Sequence, residues 1–138
     1  MADPRAFISF DADNNFTEKT LFAGQTYLSI IPFSIQDWSS KEPLPQAEWE
    51  ALIKAKIAKT NMLIVLCGKS MSTATGVVKE INMANSQNVP IFGVYVDGAG
   101  TSSTLPTGLP RSRVVEWNWA KISSAITQVM GEGKNKSS

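Results

Sequence analysis

The chain contains no histidine and a single cysteine, Cys67. Without imidazole there is no Ser-His-Asp or Cys-His nucleophile and no histidine-held metal. One thiol forms neither an internal disulfide nor a thiolate zinc cage. Cys67 closes an apolar run and reads as a buried thiol. No apolar stretch approaches the ~20 residues that span a bilayer, so no membrane partner is expected. The opening Met1-Ala2-Asp3-Pro4-Arg5 lacks a charged-then-apolar leader pattern, which points to a cytoplasmic protein. The net charge is +1 and the basic residues are scattered, so nucleic acid is not an expected partner. Any chemistry must therefore rest on carboxylates, hydroxyls, amides, lysine or arginine.

What remains is an ordinary globular composition, 43% hydrophobic and 18% charged over 138 residues. That length suits one domain with a real core. The pattern assigns it residues 1–131, with 132–138 as a frayed polar tail. Strand-like runs alternate with helical spacing about five times. Residues 5–10 read as a first strand, and 16–25 as a helix entered through Asp13, Asn14 and Asn15, with Glu18 completing a capping box from Asn15. Residues 27–33 read as a second strand closed by Pro32. Residues 34–45 form a long polar loop. Trp49, Leu52, Ile53 and Ile57 mark the stripe of the next helix. Met62 to Leu66 is apolar on both faces, as in a central parallel strand. Residues 76–84 form a further helix, 90–96 a fourth strand, 97–111 a second long loop and 114–117 a last strand. Asn118 caps the final helix, with Trp117 and Ile122 as a staple. This alternation predicts an α/β, flavodoxin-like, doubly wound and mostly parallel five-stranded sheet with helices on both faces. Ligands in such folds bind beyond the carboxyl ends of the strands.

Several motifs invite readings that fail in detail. Gly98-Ala99-Gly100 lacks the third glycine of a dinucleotide fingerprint and follows the wrong strand. Asp11 and Asp13 disfavour a phosphate loop after the first strand. They resemble half of a receiver-type magnesium site, but Leu66-Cys67-Gly68 offers no third carboxylate, so no metal is expected. Asp13 suits capping, whereas Asp11 is closer to a ligand. Trp38 is either a loop anchor or an exposed aromatic for binding.

Glu80 is the most informative position. On a helical wheel Val77, Ile81 and Ala84 share one face, and Glu80 lies roughly 60° from Val77, at the edge of the apolar stripe. A carboxylate there snorkels, pairs with Lys79 or Lys69, or does chemistry.

Three segments in order resemble the TIR superfamily: Ala6-Phe7-Ile8-Ser9-Phe10-Asp11; Ser34-Ile35-Gln36-Asp37-Trp38; and Met62-Leu63-Ile64-Val65-Leu66 followed by Ser72-Thr73-Ala74-Thr75-Gly76-Val77-Val78-Lys79-Glu80-Ile81. Within it they are most similar to the bacterial TIR-like branch of Thoeris anti-phage defence, the ThsB proteins. The resemblance implies an NAD⁺-cleaving enzyme, an NAD⁺ glycohydrolase or ADP-ribosyl cyclase. It would use NAD⁺ as substrate and no separate cofactor, and make a cyclic ADP-ribose-type signal. Glu80 stands at the catalytic glutamate, with Phe10, Asp11, Phe33, Asp37, Trp38 and Gly76 around the substrate. Gly76 departs from the family, which often carries tryptophan there. The resemblance further implies a homo-oligomer whose site a neighbouring subunit completes, and a partner effector reached through the product. A non-catalytic TIR-like module assembling through residues 34–45 is the alternative.

Overall fold

The computed structural model describes residues 3–11, 15–39, 45–69, 71 and 74–136. The capping expected of Asp13 and Asn14 falls outside them, as do parts of the loop at 34–45 and of the turn at 68–75.

Five parallel strands form one sheet in the order β2-β1-β3-β4-β5. They are β1 (Arg5–Ser9), β2 (Ser34–Trp38), β3 (Met62–Cys67), β4 (Ile91–Tyr95) and β5 (Val114–Val115). Four helices, α1 (Phe16–Gly24), α2 (Gln46–Ala58), α3 (Thr75–Ser86) and α4 (Trp119–Val129), are the crossovers and the final cover. The alternation of β1 and β3 splits the core. Phe7, Leu63 and Val65 pack with Ile53, Ile57, Val77 and Ile81 from α2 and α3. Ala6, Ile8, Phe10, Met62 and Ile64 pack on the other face with Phe22, Ile122 and Ile126 from α1 and α4. Every residue of β3 is buried, as its apolar run predicts. Asn118 caps α4 as expected, its side chain accepting from the N–H groups of Ala120 and Lys121. No helix among the described residues is long and apolar enough to cross a membrane.

Three expectations are corrected. The second strand is not 27–33 but Ser34–Trp38. Residues Thr26–Leu28 form a 3-10 turn instead, with Tyr27 80% and Ile30 72% exposed. An edge strand packs on one side only, so β2 is polar enough to read as loop, while Tyr27, Leu28 and Ile30 of the apolar run before it are exposed. The capping box at Asn15 does not form, because its side chain makes no capping bond. Finally, the described part of the carboxyl-terminal segment is docked. The Asn135 amide donates to the carbonyls of Asn61 at 2.7 Å and Val129 at 3.0 Å, and Lys134 N–H donates to Asn88 O at 2.8 Å. Gly133 sits there at φ +54, where an added Cβ would collide with Asn88 O. A pattern of polar residues carries no trace of such backbone partners.

β2 contains an irregularity with consequences for the site. Ala6 pairs with Ile35 but Phe7 pairs with Asp37, so Gln36 is an extra residue. In a regular strand residues 35, 37 and 39 would share a face; the bulge reverses the phase after Gln36. Trp38 is thereby turned toward α1, and Ser39 toward α3.

Candidate active site

Glu80 lies in the second turn of α3 and is 1% exposed. It neither snorkels nor pairs with a lysine. Ser9 Oγ, at the end of β1, donates to Glu80 Oε1 at 2.6 Å. Ser39 Oγ, one residue past β2, donates to the same oxygen at 2.5 Å. Phe10 N–H donates in turn to Ser39 Oγ at 3.1 Å, fixing the hydroxyl's orientation. The other carboxylate oxygen, Oε2, is buried without a partner among the described residues. Burial pushes the carboxyl up from 4.5 to about 7, opposed in part by the Ser39 and Ser9 hydrogen bonds, which favour the charged form. The result is a carboxyl with one oxygen anchored by the fold and one uncommitted, at the carboxyl ends of β1 and β2. An uncommitted carboxylate oxygen is a hydrogen-bond acceptor for a ligand hydroxyl.

Phe10 contributes its backbone to this cluster, while its buried ring points to the α1 face. There the Lys19 ammonium sits over three rings, 4.3 Å from the centroid of Trp38, 4.8 Å from Phe16 and 5.9 Å from Phe10. Trp38 ends β2 and is 42% exposed. Asp11 is buried at the end of β1, and its carbonyl accepts from Asn15 N–H at 2.7 Å. Asp37 is drawn aside to Lys56 at 3.5 Å. Phe33 is not brought to the site. Arg5 pairs with Ser34, so Phe33 precedes the amino end of β2, packed 6.4 Å from Trp119. The shift of the second strand accounts for that displacement, since 33 comes just before the strand rather than ending it.

Ser9, Ser39 and Lys19 are the site residues that pattern reading overlooks. Ser9 had a usable signal, a lone hydroxyl at an inward position of the run Ala6 to Phe10. Ser39 had none, because its direction depends on the bulge. Cys67 matches its expectation: it is buried, and burial drives the thiol up to about 12, where it is inert.

The family model described as "Thoeris protein ThsB, TIR-like domain" matches residues 7–101, more than half of the chain and all of the Glu80 cluster. The chain belongs to the ThsB TIR-like family. A prokaryotic SEFIR domain of known crystal structure is similar in fold, with TM-score 0.50 and 15% identity over 92% of this chain and 90% of that one. The TIR domains of the activated Roq1 resistosome, which directly recognises the pathogen effector XopQ, align with TM-score 0.46 and 15% identity, covering 70% of this chain and 60% of theirs. No curated protein matches in sequence.

Against the ThsB resemblance drawn from the sequence, Gly76 is the departure. It lies in the first turn of α3, one turn before Glu80, and a Cβ there would meet nothing within 4 Å. The space a larger side chain would take is open. Gly76→Ala is therefore expected to stabilise the fold by roughly 0.5–1 kcal/mol through helix propensity alone, read from urea unfolding midpoints. A loss of stability would mean that the open space is needed by the fold.

Proposed function

We propose that this ThsB-family domain cleaves NAD⁺ at the nicotinamide–ribose bond, with Glu80 as the catalytic carboxylate. The C1′–N bond breaks with its electron pair passing to the ring nitrogen. The cationic pyridinium becomes neutral nicotinamide, and positive charge develops across C1′ and the ring oxygen of the ribose. No general acid is needed for a leaving group that departs neutral, which suits a chain without histidine. An ionised Glu80 in a low-dielectric site stabilises that cation strongly, and Oε2 accepts a ribose hydroxyl. Water then attacks C1′ and releases a proton to give ADP-ribose. Alternatively, a nucleophilic atom of the same molecule attacks to give a cyclic product. We assign the cyclic outcome, and with it a messenger read by a partner effector in anti-phage defence.

The observation that carries this reading is the buried carboxyl of Glu80, anchored through one oxygen by Ser9 and Ser39 and without a partner at the other among the described residues. The test is incubation with NAD⁺ and chromatography of the products. Free nicotinamide with a cyclic partner from the wild type, and neither from Glu80→Gln, is expected. No nicotinamide at high protein concentration overturns the proposal.

A second reading, a non-catalytic module, is favoured by a different observation. Phe16, Tyr27 and Ile30 are 60%, 80% and 72% exposed. Large apolar side chains left in solvent suit association between copies. Sedimentation of the wild type and of Ile30→Asp separates the two, since assembly without turnover supports the module.

A further inference from the structure

Lys19 stands on the half-buried side of α1 and is held by aromatic faces rather than by a carboxylate. No described acidic side chain pairs with it; the ion pairs among the described residues use Lys56, Arg113 and Lys121. A cation resting on Trp38 at 4.3 Å and Phe16 at 4.8 Å is fixed in position, and among the described residues its charge is uncompensated. Both rings are open to solvent, Phe16 at 60% and Trp38 at 42%. An ammonium flanked by two accessible rings offers two things at once: a charge for an anion and faces for a planar base.

The position of this group matters. Trp38 is followed by Ser39, whose hydroxyl holds Glu80, and Phe10 N–H holds Ser39. The bulge at Gln36 places the aromatic group and the carboxylate on opposite sides of β2, joined by a single peptide at the strand's end. A ligand lying across the carboxyl ends of β1 and β2 would touch both.

We infer that Lys19, with the faces of Phe16 and Trp38, receives the ADP portion of a dinucleotide, its ammonium taking the diphosphate and a ring stacking on the base. This rests on the NAD⁺ reading of Glu80 for the remainder of the ligand, and it names the elements that select a dinucleotide over a bare nicotinamide riboside.

Calorimetric titration with ADP and with adenosine tests it, using the wild type, Lys19→Met, Lys19→Arg and Trp38→Leu. Methionine keeps an apolar stem on the rings and removes only the charge. The wild type binds ADP, Lys19→Met weakens ADP binding about tenfold or more and leaves adenosine unchanged, and Lys19→Arg restores ADP binding. Trp38→Leu weakens both ligands. Equal ADP affinity in the wild type and Lys19→Met overturns the inference, as does no ADP binding by the wild type. Parallel loss of ADP and adenosine in Lys19→Met overturns it too, since that marks a structural lysine. Nicotinamide release from NAD⁺, followed in the same proteins, separates the two proposals. Lys19-dependent ADP binding without turnover leaves this site standing and removes the NAD⁺ reading. Turnover with a KM unchanged by Lys19→Met does the reverse.

Discussion

Glu80→Gln is expected to slow nicotinamide release from NAD⁺ by roughly a hundred- to a thousandfold, with a much smaller change in KM. Glutamine has the shape of the protonated acid and accepts the same Ser9 and Ser39 hydrogen bonds, but cannot supply a negative charge to a ribosyl cation. The pH profile carries the same signature. Burial raises the free protein's Glu80 to about 7, so the active, ionised form is half populated there. In the wild type kcat/KM should climb through pH 7, losing about tenfold per unit on the acid side. Residual turnover by the glutamine variant should show no such limb. A mutant that keeps wild-type rates would remove Glu80 from the chemistry.

The same substitution is expected to stabilise the fold at alkaline pH. The sign follows from proton linkage. Glu80 titrates at about 7 when folded and near 4.5 when unfolded, so between those values the native state holds the extra proton. Wild-type stability therefore falls as pH rises from 4.5 to 7, opposite to the usual carboxylate. Above 7 both states are ionised and the full burial penalty is present, roughly 3 kcal/mol for a shift of this size. Glu80→Gln does not carry it. At pH 8 its melting temperature should exceed the wild type's by about 10 °C, and the gap should close by pH 4.5. Glu132 acts the other way, since the Arg113 hydrogen bond holds its carboxyl below the ordinary value and that contribution is lost toward acid. It is common to both proteins, so the difference between them isolates Glu80. A gap independent of pH would point to packing rather than charge.

Much of this was legible in the sequence because it depends on local signals. The all-apolar β3, the Asn118 cap and the Val77–Ile81–Ala84 stripe are each written within a few residues, and each forms as read. The position of Glu80 at the stripe's edge was enough to mark it. The second strand was misplaced because an edge strand needs few apolar residues, while the neighbouring run 27–31 is apolar without being wholly buried. The partners of Glu80 were hidden for a related reason. Ser39 reaches α3 only because an extra residue at Gln36 reverses the alternation, and bulges leave no mark in composition. Asn15 is more instructive still. The pattern makes it a cap, yet it is buried, both its side-chain polar atoms are without partners among the described residues, and it is pressed against Gly68, where an added Cβ would stand 2.5 Å from its Oδ1. Close packing between loops that follow β1 and β3 overrode the local preference, and it did so at the point where the strand order reverses.

The central claim is that the fold holds Glu80 out of water, tied through one oxygen to Ser9 and Ser39, and so keeps it near neutrality. A carboxyl-carbon NMR titration of the free protein, with Glu80→Gln assigning the signal, observes that group directly. The account predicts a midpoint near 7, moving higher in Ser39→Ala because a donor that favours the charged form is lost. A midpoint near 4.5, unmoved by Ser39→Ala, would place the carboxylate in solvent and contradict it.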